Sequence, residues 1–435
     1  MEMTRRIVVL GSGFAGMQAV VELDRLFRRA PDYELLLIGR QNYVLFTPLL
    51  PQIASSQIDP RHIAQAVRDV RGRRNFRFLR DSVRAIDLAN RRIELTSGSV
   101  SYDSLIFALG SRTNYFGIPG ARENTYDFKT LEDAVVLREH VLDLCEHADH
   151  IADEAERRRL LTFVVVGGGY TGVEILCELR DFLFDYVARR YRGIPRDAIR
   201  LVLLEASSSI LGSIHPLLRA HAMKRLHATG IEIRYNARVT RCDPSSVEIN
   251  GNEQLPSATV VWTAGVRAHD LAEGLPGPHD RAGRVQVNEH LQLEGFPEVF
   301  VAGDSAVVAS GESDPAPQVA PVAIAHGKLA ARNVVHRERG VALENYHYVS
   351  QGMLVSLGAR DAVVNIAGIQ FHGSLAWLFW NAIHLYKLVE LKKQIQVAMD
   401  WSLASIFPRD AAIVRRPRGC PLCSASEAAG GNTCA

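Results

Sequence analysis

The chain has 435 residues, 47% of them apolar and 23% charged, with 50 basic against 48 acidic side chains for a formal net charge of +2. That length suits two to three domains with real cores, and the balanced charge speaks against nucleic acid or a strongly acidic substrate as a partner. Apolar runs all fall short of the roughly 18 residues a spanning helix needs, and Met1 to Arg6 leads straight into an apolar strand, so neither a transmembrane span nor a signal peptide is expected.

In chain order, a strand at Ile7–Leu10 runs into the glycine fingerprint Gly11-Ser12-Gly13-Phe14-Ala15-Gly16. A helix is predicted from there to about Arg29, then a strand at Glu34–Ile38. Ser104–Ala108 is a further strand, ending in Ala108-Leu109-Gly110-Ser111. The plan then repeats: the strand Phe163–Val166, the loop Gly167-Gly168-Gly169-Tyr170-Thr171-Gly172, a helix, and the strand Arg200–Leu204. Val260–Ala264 ends in Gly265, and Val299–Ala302 ends in Gly303-Asp304.

Glycines after a strand let the turn tighten and let backbone N–H groups approach a pyrophosphate, while the following helix N-terminus supplies positive partial charge. Glycines at the carboxyl edge of a parallel sheet mark where nucleotides lie in open α/β folds. Two such units predict an α/β protein with two Rossmann-like domains, the second (120–267) inserted in the first (1–119 and 268–344). A third region covers 345–418, followed by a Ser/Ala/Gly-rich tail at 419–435. A chain that grips two dinucleotides most economically passes a hydride from one to the other.

The acidic residue that binds an adenine ribose sits at the end of the second strand. In the second unit this is Glu205, whose carboxylate would accept a ribose 2′-OH and repel a 2′-phosphate, favouring NADH over NADPH. The first unit has Gly39 there, followed by Arg40, so backbone or Arg40 must hold that ribose. Asp304 is placed to meet a ribityl hydroxyl and is also suited to a helix N-cap. Glu174, in the first turn of the second helix, can orient a nicotinamide ring or relay a proton. Cys145, Cys177 and Cys242 are scattered, which fits reduced thiols and leaves a disulfide mechanism without a nucleophile. Cys420, Cys423 and Cys434 give three thiolates where a metal site wants four ligands, so no metal is expected.

Together these residues resemble a type II NADH dehydrogenase, the single-subunit NADH:quinone oxidoreductase of the two-dinucleotide-binding flavoproteins. The most specific runs are Asn42-Tyr43-Val44-Leu45-Phe46-Thr47-Pro48-Leu49-Leu50 and Val261-Trp262-Thr263-Ala264-Gly265-Val266-Arg267. The resemblance implies FAD in the first domain, with Gly11, Ser12, Gly13, Phe14, Ala15 and Gly16 on its pyrophosphate. Arg40, Thr47, Pro48, Val83, Ala108, Gly110, Gly303, Asp304, Ala320, Pro321 and Val322 would line the rest. It implies NADH on Gly167, Gly169, Tyr170, Thr171, Gly172, Glu174, Glu205 and Gly265, with Glu174 as the catalytic candidate. A membrane quinone would lie against Ala320, Pro321, Ala323, Ile324 and Ala325. That segment, read as a loop, lacks the two glutamines of the family pattern and offers a small apolar floor instead.

Leu375, Leu378, Phe379, Ala382, Ile383, Tyr386 and Val389 form one apolar stripe at helical spacing, flanked by Trp377, Trp380 and His384 and followed by Lys387, Lys392 and Lys393. The same pattern fits a helix lying in the headgroup layer or one packed on its own core or on a homodimer partner. The resemblance favours peripheral docking at the cytoplasmic side of the membrane. Two other readings are a soluble NADH-dependent flavin reductase with a non-quinone acceptor and a nucleotide-binding redox sensor with weak turnover. Sulfide:quinone oxidoreduction would need a cysteine pair at the flavin, and none is visible.

Overall fold

The computed structural model describes residues 4–27, 32–70, 75–308, 315–350, 352–388 and 390–413. The chain divides into two compact units: Met1–Leu45 with Ala64–Arg112 and Val266–Gln351, and Phe46–Ile63 with Thr113–Gly265 and Gly352–Ala435.

The first unit is built on an eight-stranded sheet. Its central strand Arg5–Leu10 pairs in parallel with Tyr33–Gly39 on one side and Ser104–Phe107 on the other. The sheet continues in parallel to Phe76–Arg80 at one edge and to Phe296–Val301 beyond Ser104–Phe107. These strands read as unbroken apolar runs because both faces are covered, and Val8, Leu10, Leu37, Ile38, Ile106 and Phe300 are fully buried. The helices Phe14–Leu26 and Ala320–Glu338 pack together on this sheet. Gly327 lets them approach closely, since a side chain there would strike the Ala15 carbonyl.

In the second unit a five-stranded parallel sheet runs in the order Tyr126–Asp127, Thr259–Trp262, Thr162–Val166, Arg200–Leu204, Glu232–Arg234. The helix Tyr170–Phe182 follows its central strand directly. From Gly352 on, an antiparallel sheet of Met353–Ser356, Ala362–Ile366 and Ile369–His372 leads to the helices Ser374–Lys387 and Leu391–Ile406. Among the described residues no helix is long and apolar enough to cross a membrane.

The expected stripe on Ser374–Lys387 is on the outside: Leu375 is 68%, Leu378 58% and Tyr386 84% exposed. Trp380 and His384, expected to flank that stripe, instead lie with Ala376 on the opposite, buried face, at i, i+4 and i+8. Helical geometry allows this, because 3.6 residues per turn separate the two sets by about half a turn. The next helix repeats the arrangement. Leu391, Ile395, Met399, Leu403 and Ile406 are exposed along one side and only Val397 is buried. Val389 and the three tail cysteines lie outside the described residues.

Candidate active site

Both fingerprints fold as the same strand, turn and helix. Gly11 has φ +98°, a left-handed conformation that favours glycine, and a Cβ there would strike the Ala108 carbonyl oxygen. A Cβ on Gly16 would strike the Gly11 carbonyl. At Gly13, by contrast, nothing lies within 4 Å of the Cβ position. The second loop copies the first. Gly167, at φ +107°, leaves a Cβ 2.6 Å from the Ala264 Cα, Gly172 closes on the Gly167 carbonyl, and Gly169 opens on free space. The fold thus crowds Gly11 and Gly16 in the first loop and Gly167, Gly168 and Gly172 in the second, and leaves open space only at Gly13 and Gly169. Gly13 and Gly169 cap their helices without any side-chain hydrogen bond. Neither glycine places a side chain over the start of its helix, and both loops fit a pyrophosphate there.

Around the first loop the structure gathers Ala108, Gly110, Gly303, Asp304 and the start of Ala320–Glu338. A Cβ on Gly303 would lie 3.1 Å from Ala15 and 3.5 Å from Ala323. The Ser305 hydroxyl donates to the Gly110 carbonyl at 2.7 Å and the Ser111 hydroxyl to Asp304 Oδ2 at 2.5 Å. Asp304 lies inside the single 3-10 turn Gly303–Ser305, and the caps are Ala302 and, for the long helix, Val319, so the N-cap reading of Asp304 does not hold. Residues 320–325, expected as a loop, are instead the first turns of that helix. Proline is at home there because the first N–H groups of a helix have no internal partner. Ala320, Pro321, Ile324 and Ala325 are half-exposed, while Val322 and Ala323 face inward. His326 accepts the Gly303 N–H at Nδ1, 3.2 Å away, and burial pushes its pKa down to about 4, so it is held neutral.

Gly39 has a local cause. A Cβ there would lie 2.9 Å from the Ser12 hydroxyl, so any larger strand-end residue is crowded by the loop's own serine. Arg40 is exposed. Val83 opens the strand Val83–Asp87 and packs against the first core. Thr47 and Pro48 form a 3-10 turn that belongs to the second unit.

In the second unit Glu205 is tied to the loop it was expected to serve. Its Oε2 accepts the Gly168 N–H and its Oε1 the Ser207 N–H, each at 2.7 Å. Thr171 is exposed, and Gly265 accepts the Asn114 N–H through its carbonyl at 3.0 Å. Glu174 is half-buried, and its Oε1 accepts the Ser356 N–H at 2.9 Å. Burial pushes its pKa up to about 8 against the pull of that N–H and of the Trp380 indole, with the Glu178 charge adding to the rise. Glu178, one turn along, is also raised by burial. The Ser55 hydroxyl donates to it at 2.8 Å, and Arg409 stands 4.0 Å away.

Sequence reasoning missed Ser356, Glu178, Ser55 and Arg409. The available signal was the i, i+4, i+7 spacing of Glu174, Glu178 and Asp181, three acidic residues along one side of the helix. Cys145, Cys177 and Cys242 are buried and form no disulfide, and burial raises each thiol, which disfavours a thiolate at these three described positions. No group of three or more metal-ligating side chains occurs among the described residues.

Two units, each with a glycine cradle where a central parallel strand runs into a helix, have the architecture of a protein with two dinucleotide-binding folds. The family model for pyridine nucleotide-disulphide oxidoreductases matches residues 5–327, and the model for the NDH2 C-terminal domain matches 350–410. The chain is 34% identical over 420 residues to the type II NADH:quinone oxidoreductase Ndh of Mycobacterium tuberculosis, covering 93% of this chain and 89% of that protein. It is 30% identical to the type II NADH:quinone oxidoreductase of Staphylococcus epidermidis, covering 88% and 96%. The solved structure of Plasmodium falciparum NDH2 in complex with NADH shares the fold, with a TM-score of 0.86 at 20% identity over 94% of this chain and all of that one. The chain belongs to the type II NADH:quinone oxidoreductases, flavoproteins that use FAD and NADH.

Proposed function

We propose that this chain oxidises NADH and reduces a membrane quinone without pumping protons, with FAD on the first unit and NADH on the second. FAD held by these residues would supply the hydride acceptor for NADH and the two-electron donor for the quinone, chemistry the protein need only position. The observation that carries this reading is the matched pair of glycine cradles, one in each unit, each open only at its middle glycine.

The residues divide the remaining work. Gly11–Gly16 and the turn around Gly110 and Asp304 would hold the flavin nucleotide, with Arg40, Thr47, Pro48 and Val83 along it. Gly167–Gly172, Glu205 and Gly265 would hold NADH. Ala320, Pro321, Ile324 and Ala325 would offer the quinone ring an apolar helix face with no side-chain amide, whereas Ala323, expected beside them, is buried. Glu174 holds a proton near neutral pH and can relay it, since NADH supplies a hydride and one further proton must come from solution.

Steady-state NADH oxidation with a short-chain quinone, with ferricyanide and with NADPH in place of NADH tests this directly. Turnover with the quinone and a strong preference for NADH are expected. Ferricyanide turnover without quinone turnover would favour the soluble reductase reading instead. Glu205→Arg should remove the hydrogen bond to the ribose and welcome a 2′-phosphate. A charge-assisted hydrogen bond is worth about 1.5–3 kcal/mol, so the NADH-to-NADPH preference should fall by roughly ten- to a hundredfold. An unchanged ratio would show that the carboxylate is not on the ribose.

The outward stripes of the two terminal helices would dock the enzyme on the cytoplasmic face of the membrane. Leu375, Leu378 and Tyr386 lie on one helix and Leu391, Ile395, Met399 and Leu403 on the next, with Lys387 and Lys392 exposed beside them. Burying one large aliphatic side chain contributes roughly 1.5–3 kcal/mol, so Leu378→Glu with Ile395→Glu should weaken partitioning onto anionic vesicles by at least about a hundredfold. Equal flotation of variant and parent would refute the docking. A parent that ignores vesicles and sediments as twice its mass would assign the stripes to a homodimer.

A further inference from the structure

The segment that follows Glu205 forms a collar around the second glycine loop, and its inner side is fastened at several points. The Leu211 N–H donates to the Gly168 carbonyl at 2.8 Å, so Gly168 is held by the collar through its carbonyl and by Glu205 through its N–H. Ile210, Leu211 and Ile214 are buried beneath the collar, and a Cβ on Gly168 would lie 2.5 Å from Ile210. The Arg219 guanidinium donates to the Gly212 and Ile214 carbonyls at 2.8 and 3.1 Å. Leu211 pays for this shape with φ +49°, a left-handed conformation that costs a branched L-residue on the order of 1–3 kcal/mol and persists only where surroundings enforce it.

The collar's outer rim is different. It carries Ser207, Ser208, Ser209, Gly212 and Ser213, and one side chain of the glycine loop reaches it: the Tyr170 hydroxyl lies 2.7 Å from the Ser213 hydroxyl. Tyr170 is the first residue of the helix whose N–H groups face the nucleotide, immediately after Gly169. Two solvent-reachable hydroxyls contribute little to fold stability. The bond nevertheless ties the start of the helix after the glycine loop to the segment that leaves Glu205.

We propose that the Tyr170–Ser213 bridge is a positioning latch that preorganises the collar for NADH and so sets nucleotide affinity. This rests on the reading of the second loop as the NADH site. A latch of this kind acts through Glu205 and Gly168, so its loss should raise the free energy of nucleotide binding without touching the reacting atoms.

The test is calorimetric titration of the FAD-loaded enzyme with NAD+, using Tyr170→Phe, Ser213→Ala and the double variant, alongside steady-state kinetics and melting of the nucleotide-free protein. Losing one neutral hydrogen bond is expected to weaken NAD+ binding by about three- to tenfold in each single variant. The double variant should be no worse than the weaker single, because both changes break one bond. In Ser213→Ala, which lies outside the residues assigned to NADH, KM for NADH should rise in step while kcat stays within about twofold, and the melting temperature without nucleotide should not move. Unchanged NAD+ affinity in Tyr170→Phe, or losses that add in the double variant, would overturn the latch while leaving the NADH site standing. A parent enzyme that does not bind NAD+ would remove the NADH-site reading and the latch together.

Discussion

Gly13→Val should purify folded and colourless, whereas Gly169→Val should purify yellow and resist reduction by NADH. Both substitutions fall where the structure has free space, with backbone φ near −76° that any residue adopts, so neither strains the fold. What each removes is the close approach of an anion to the helix N-terminus behind it. Two charge-assisted hydrogen bonds from backbone N–H groups, each worth about 1.5–3 kcal/mol, translate to a loss of roughly 10²- to 10⁴-fold in cofactor affinity. Gly16→Ala supplies the contrast, because its Cβ meets the Gly11 carbonyl and must displace the turn itself. Overpacking of that sort costs about 1–3 kcal/mol, and it should appear as a lowered melting temperature. Flavin absorbance, NADH titration and melting curves on the three variants separate ligand space from fold space. A yellow Gly13→Val protein would show that this loop does not hold the flavin.

Glu174→Gln should give the second large effect, on both turnover and stability. The carboxyl is held neutral up to about pH 8 by burial, and glutamine copies that neutral shape but cannot exchange a proton. NADH-to-quinone turnover is therefore expected to fall by about a hundredfold, the lower end of what a positioned acid or base contributes. Reduction of the bound flavin by NADH, which transfers a hydride, should change only severalfold. The stability effect has a defined sign. The folded pKa near 8 lies above the ordinary value of 4.5, so between those values the folded protein holds a proton that the unfolded chain has released. The stability associated with the neutral carboxyl is full below about pH 4.5 and is lost as pH rises through about 8. The glutamine variant is spared that loss. The two proteins should melt alike near pH 4 and diverge by a few kcal/mol at pH 9, the variant being the more stable. Parallel melting curves across this range would contradict a buried, neutral Glu174.

What the sequence made legible was local. A strand, a glycine turn and a helix follow one another within some twenty residues, and each is dictated by apolar runs and by glycine at positions where a Cβ meets a carbonyl, as at Gly11, Gly16 and Gly172. Glu205 was legible for the same reason, being the residue that ends Arg200–Leu204. Contacts made across long stretches of chain were not. The N–H on Glu174 comes from Ser356, 182 positions later, and Glu178 is approached by Ser55 and Arg409 from opposite ends of the sequence. Nothing in a 3.6-residue period says which of two apolar faces turns inward. The stripe of Leu375, Leu378 and Tyr386 was visible, but the burial of Trp380 and His384 on the other face was decided by what packs there. The segment holding Pro321 was read as a loop from the family resemblance, yet proline at a first turn starts a helix. The absent acid at Gly39 looked like a defect of the first site until Ser12 was seen to fill the space.

The most direct measurement is an anaerobic two-step titration of the purified, FAD-loaded enzyme. One equivalent of NADH should bleach the flavin absorbance completely, and one equivalent of a short-chain quinone, added with oxygen still excluded, should restore it and yield quinol. Flavin that NADH leaves yellow, or that stays bleached in the presence of quinone, would contradict electron flow from one nucleotide site through the other to a quinone.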